Sequence, residues 1–233
     1  MHAAKPLIVG HRGAKGLAPE NTLEGFEVAI QNGVDQIETD VRISKDGHAV
    51  IVHDKQLTTE DKKLLTVLDM TLPQLREHHG TMVTLEEAID FVDRRVRLMI
   101  EVKKRVDTKP VIAIVQSFLD KGWQPSDFIF ASFDFKVLRE LRAALPAIDI
   151  VVLEVWSSVR AVSRARRLGT NYLSMDQSYL WWGVVRNLAK RYKLFTYPDQ
   201  HVPFLPTNPT RPAKWAKYGL HGIITDYPDR FPN

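Results

Sequence analysis

The chain has 233 residues, 44% hydrophobic and 26% charged, the balance of a soluble globular protein rather than a disordered or low-complexity one. Lys and Arg total 32 against 28 Asp and Glu; the net +4 favours anionic partners such as phosphates, while the mixing of signs along the chain argues against nucleic acid. With no Cys, disulfides, thiolate metal sites and cysteine nucleophiles are excluded; with no bilayer-length apolar run and no signal-peptide core, the expectation is a cytoplasmic protein with no transmembrane segment.

Residues 6–10, "PLIVG", read as a short apolar strand ending at the first of three glycines spaced by three: Gly10, Gly13 and Gly16. Residues 22–33 carry Leu23, Phe26, Ala29 and Ile30 at helical spacing and stop at Gly33. A strand over 34–41 ends in polar residues, and a "KDG" turn at 45–47 leads into an extension over 48–54 that pairs back on it. Residues 55–83 are polar and irregular, with one short helix at "TLPQLREHH". Thr84 with Glu87 spells a capping box that opens a helix over 84–95. Alternation then becomes regular: strands over 96–103, 127–133, 147–155, 170–176, 193–199 and 221–228, separated by helical segments at 109–122, 134–146, 158–169, 180–192 and 211–219. The strands are apolar without alternation, so both faces are buried, as in a parallel sheet wrapped by helices. About eight such units in this length predict a closed (β/α)8 TIM barrel. It forms one domain over 1–233, with a short insertion after the second strand at about 54–83.

In such a barrel chemistry sits where strands end. After the first strand come His11 and Arg12; the second ends in Glu38 and Asp40, its extension in His53 and Asp54, and the third in Glu101 and Lys103. Later strand ends offer Ser132, Asp176, Asp199 and Asp226. Glu38 and Asp40 are two apart on a strand, so they share a face, as do Glu101 and Lys103. Three carboxylates converging in a low-dielectric site cannot all stay ionised unaided. A divalent cation resolves that, and all-oxygen ligation suits Mg²⁺ or Ca²⁺. Arg12 offers a planar fork to a phosphate and Lys103 a point charge. Imidazole titrates near neutral pH, so His11 and His53 as a pair can deprotonate a nucleophile and protonate a leaving alkoxide. The glycines are expected to let the backbone at His11 and Arg12 turn sharply and approach that phosphate.

The stretch "GHRGAKGLAPENTLEGFEVAIQNGVDQIETDVRISKDGHAVIVHD", with "IEVK" and "GIITDYP", resembles the glycerophosphodiester phosphodiesterase family over essentially the whole barrel. The resemblance implies a TIM-barrel hydrolase that uses a divalent metal to split glycerophosphodiesters into an alcohol and sn-glycerol 3-phosphate. It also implies His11 and His53 as the acid–base pair, Glu38, Asp40 and Glu101 as metal ligands, and Arg12 and Lys103 on the phosphate, with Asn21 supporting the loop. Two segments depart from the family pattern. "KQLTTEDKKLLTVLD" replaces a leucine–aspartate–arginine–threonine–threonine run and a longer insertion, and "LFTYPDQ" replaces a tryptophan–threonine–valine–asparagine segment. Both bear on the leaving group rather than on the reaction.

His48 reads as a turn residue, while His78, His79, His201 and His221 belong to no constellation. Ser132 has no serine–histidine–aspartate arrangement around it, the "RARR" run at 164–167 reads as a solvated helix face, and Asp226 reads as a structural residue closing the barrel. Trp181 and Trp182 are adjacent, so on a helix both cannot face the core. An exposed Trp181 or Phe204 near the mouth would favour lysophospholipids as substrates, in a lysophospholipase D-type reaction. A barrel that binds a phosphorylated ligand without turnover is the third reading, weakened because all five histidine and carboxylate positions are filled. The partner expected is a small molecule. Which histidine is acid and which base, whether water or an internal hydroxyl attacks, the headgroup and the oligomeric state stay open.

Overall fold

The computed structural model describes residues 5–58, 62–197 and 212–231. In chain order, β1 (Leu7–Gly10), α1 (Leu23–Gln31), β2 (Gln36–Ile43) and β3 (Ala49–Ile51) come first. The insertion follows with β4 (Gln56–Thr58), β5 (Leu64–Thr66) and α2 (Leu72–His78). Next are α3 (Leu85–Val92), β6 (Arg97–Val102), α4 (Lys109–Asp120), β7 (Phe128–Ser132), α5 (Phe135–Ala144) and β8 (Asp149–Glu154). The chain continues through α6 (Ser158–Leu168), β9 (Tyr172–Asp176), α7 (Trp182–Leu188), β10 (Lys193–Tyr197), a 3-10 turn over Pro212–Tyr218, and β11 (Gly222–Thr225). Eight parallel strands close a ring in the order β1, β2, β6, β7, β8, β9, β10, β11, and β11 pairs back onto β1. β3 runs antiparallel on the end of β2, with Val41 opposite Ile51, as the "KDG" turn predicts.

The continuous hydrophobicity of the strands divides between two cores. Val9, Met99, Ile129, Ala131, Val151, Leu153, Phe195 and Ile224 fill the barrel interior. Their strand neighbours Ile8, Leu98, Ile100, Phe128, Phe130, Ile150 and Val152 face outward and pack on Phe26 and Ala29 of α1, Val115 and Phe118 of α4, and Leu138 and Leu141 of α5. Each fully buried Phe or Leu of this layer contributes about 1.5–3 kcal/mol relative to exposure. Helix starts are fixed locally. Thr22 accepts the N–H of Gly25, Ser157 that of Arg160, and Thr84 and Glu87 form the reciprocal capping box.

The insertion is more ordered than its composition suggests. β4 and β5 form a separate antiparallel hairpin, with Leu57 opposite Leu65. Beneath it Leu57, Val67, Met70, Leu72, Leu75 and Met82 pack with Val50 into a third small core. Strands of three residues are too short for hydrophobic periodicity to register, whereas the helix at "TLPQLREHH" is long enough. Asp199, His201 and Phe204 lie outside the described residues.

Candidate active site

The apolar run of β1 ends at Gly10, and the chain turns at once. Arg12 has φ +51° and Gly13 φ +87°, two left-handed residues in succession. The turn delivers the His11 N–H to the carbonyl of Thr225 at 2.9 Å and the Arg12 N–H to Glu38 Oε2 at 2.9 Å. A Cβ at Gly10 would lie 2.3 Å from the Gly13 carbonyl oxygen, one at Gly13 2.7 Å from the backbone of Gly25, and one at Gly16 2.3 Å from the Tyr227 ring. The chain turns as sharply as the glycines predict, and the space they leave is filled by the protein's own loop, by α1 and by the segment after β11.

Glu38 and Asp40 stand on the inner face of β2, and the parallel register sets Asp40 directly beside Glu101 of β6. All three are buried, and one carboxylate oxygen from each lies within 4.8 Å of the others. Lys103, just past β6, reaches Asp40 Oδ1 at 2.5 Å and Glu101 Oε1 at 2.6 Å. Arg12 Nε lies 3.2 Å from Asp40 Oδ2, while its Nη1 donates to Glu20 Oε1 at 2.9 Å. Asn21 (φ +56°) binds this wall to the turn: its Nδ2 donates to Asp40 Oδ2 at 3.0 Å, and its Oδ1 accepts from Thr39 Oγ1 at 3.0 Å and from the Asp40 N–H at 3.3 Å.

The charges respond to burial and to each other. Burial pushes Glu38 well above the usual carboxylate range, and Asp40 and Glu101 push it further. Burial raises Glu101 as well. Burial also works against the Asp40 anion, but Lys103 and Arg12 outweigh it and hold that carboxyl well below the usual range. The same attractions overcome desolvation at Lys103 and raise its pKa. Glu38 Oε1 is buried without a hydrogen-bond partner among the described residues. An orphaned carboxylate oxygen in an all-oxygen cluster of three acids fits a hard divalent cation.

The two histidines come from different turns. His11 packs its Nδ1 in a short contact with Asp226 Oδ1, and its Nε2 is 4.0 Å from Glu38 Oε2. His53 lies two residues past β3; its Nδ1 is 2.8 Å from Asp54 Oδ1, and its carbonyl accepts from Arg42 Nη2 at 2.7 Å. Burial, with the Lys103 charge, pulls the His53 pKa below its ordinary 6.5. A cavity of about 690 Å³ is lined by His11, Arg12, Glu38, His53, Glu101 and Lys103, and Asp40 lies buried among them. All seven predicted residues therefore converge on one place.

Three neighbours were not expected to touch the site: Asp226 on His11, Asp54 on His53 and Glu20 on Arg12. Asp54 follows His53 directly and carried a local signal; Asp226 carried only its place at the end of the last predicted strand, with nothing to pair it with His11, 215 residues away. Ser132 and Asp176 are structural. Ser132 Oγ donates to the Val102 carbonyl at 2.6 Å, and Asp176 accepts the Ser178 N–H at 2.8 Å. Trp181 and Trp182 are both 56% exposed and meet edge to face at 5.6 Å, so neither faces the core.

The family model for the glycerophosphoryl diester phosphodiesterase family matches residues 11–230. A glycerophosphodiester phosphodiesterase of Bacillus altitudinis is 28% identical over 239 residues, covering 96% of this chain and 95% of that one. A protein described as a probable glycerophosphodiester phosphodiesterase in Mycobacterium tuberculosis is 30% identical over 178 residues; the match spans 65% of each chain, just under two thirds of that relative. The solved structure of an Oleispira antarctica phosphodiesterase in complex with the product sn-glycerol-3-phosphate superposes with a TM-score of 0.80 at 27% identity, covering 97% of this chain and 94% of that one. The chain belongs to the glycerophosphoryl diester phosphodiesterase family.

Proposed function

We propose that the chain hydrolyses glycerophosphodiesters to an alcohol and sn-glycerol 3-phosphate, with a divalent cation held by Glu38, Asp40 and Glu101. The observation that carries the reading is the convergence of these acids with His11, His53, Arg12 and Lys103 on one cavity. Mg²⁺ or Ca²⁺, when bound, neutralises charge on the phosphoryl oxygens. Arg12 and Lys103 add positive charge beside it, on side chains whose protonation the surrounding carboxylates secure. One imidazole takes the proton of the attacking water or substrate hydroxyl, and the other gives a proton to the departing alkoxide. Asp226 and Asp54 orient the two rings through Nδ1.

The test is release of sn-glycerol 3-phosphate from glycerophosphodiesters with added Mg²⁺ or Ca²⁺, and its abolition by EDTA. Turnover that survives complete metal removal would overturn the metal's role. Lysophospholipids are the second reading, favoured by the apolar side chains Phe133, Val155 and Tyr197 along the cavity. Hydrolysis of lysophosphatidylcholine faster than of glycerophosphocholine would select it. Neither reading places a transmembrane segment in the chain; among the described residues no helix is long and apolar enough to cross a membrane.

A further inference from the structure

The reaction uses the floor of the cavity and leaves its walls unassigned. Beside the site, past β3 and β6, the cavity is lined by Lys55, Lys104 and Arg105, all exposed. None of the three has an ion-pair partner among the described residues. Apart from Glu38 and Glu101, the single carboxylate among the described lining residues is Asp107, whose Oδ1 is already 3.1 Å from the N–H of Lys109. Lys104 Nζ lies 5.8 Å from the centre of the Phe133 ring. Arg105 holds φ +59°, the left-handed conformation also seen at Arg12 and Asn21. Two basic segments, from turns far apart in sequence, thus meet at one opening.

We propose that Lys55, Lys104 and Arg105 form a leaving-group subsite for an anion, so that the preferred diester carries a second phosphate on the alcohol that departs. The proposal rests on the hydrolase reading above. A quaternary-ammonium leaving group would meet Asp107 and the Phe133–Tyr197 ring pair in this cavity, but the three positive charges of this wall oppose it. The three cations are exposed and therefore screened, and each contributes a few-fold in affinity, about tenfold together.

The experiment compares kcat/KM for glycerophosphocholine, glycerophosphoglycerol and glycerophosphoinositol 4-phosphate, reading the common product sn-glycerol 3-phosphate. The substrate with the second phosphate is expected to exceed glycerophosphocholine about tenfold, mostly through KM. About 0.5 M NaCl should shrink that ratio. A triple variant, Lys55→Met, Lys104→Met and Arg105→Gly, should narrow it below about threefold. Met keeps the apolar stem over Phe133, and Gly suits the positive φ at 105, so thermal unfolding should show an intact fold. Glycerophosphocholine turned over as well as the anionic diester, or a ratio the variant does not move, would overturn the subsite alone. Release of glycerol 3-phosphate from none of the three would overturn the hydrolase reading itself.

Discussion

On the proposed mechanism each imidazole is indispensable for one proton transfer, and each is aimed by a carboxylate. His11→Ala and His53→Ala should each lower kcat by about 10²-fold or more, measured at saturating metal. Asp226→Asn leaves His11 in place but removes the charge on its Nδ1, so its kcat should fall between wild type and His11→Ala with KM little changed. Combined with His11→Ala it should add almost nothing, because the two act as a unit. A loss in the double variant equal to the product of the two single losses would show that Asp226 works elsewhere. These residues differ in how visible they are in the sequence. Glu38 with Asp40, and Glu101 with Lys103, are legible because a two-residue spacing on a strand dictates a shared face. Asp226 reads as a barrel-closing residue because its partner is chosen only when β11 docks on β1.

At the scale of elements, the turn after β1 depends on what it excludes. Gly13→Ala would force a side chain to φ +87° and against the Gly25 backbone, with no flexible neighbour to yield. The expected cost is about 1–3 kcal/mol, read as a lower urea midpoint with an unchanged slope. A variant as stable as wild type would mean that α1 can move away from the turn. Helices of this chain were legible because caps and periodicity coincide, as at Thr84 and Glu87. The hairpin of β4 and β5 was not. Its strands are short, and its stability comes from the small core under the insertion rather than from any pattern of its own.

For the whole molecule, the end of the barrel opposite the cavity sets an acid limit. His221 packs its ring 5.2 Å from Phe195 and 6.2 Å from Tyr172, and burial with the Lys193 and Arg97 charges lowers its pKa below 6.5. The unfolded chain therefore binds a proton near pH 6.5 that the folded chain still refuses. The His221 contribution to stability should fall as pH drops through 6.5, while above it His221 contributes no pH dependence. His221→Phe, which keeps an aromatic ring there, should flatten the fall below about pH 6.5 in unfolding titrations. An identical slope in the variant would assign the acid limit to other groups. The barrel itself was legible because apolar strands and amphipathic helices alternate along the chain, whereas the packing of His221 on Phe195 and Tyr172 was not, since a lone histidine carries no pattern.

The suture between β1 and β11 has a temporal consequence. His11 leaves the ribosome early, yet the carboxylate that aims it is made 215 residues later. On the proposed mechanism a nascent chain carries both histidines before the strand that brings Asp226 to His11, and contacts this distant in sequence form slowly. On that mechanism the His11–Asp226 pair exists only after β11 has docked on β1, so full turnover should appear late in folding instead of accumulating strand by strand.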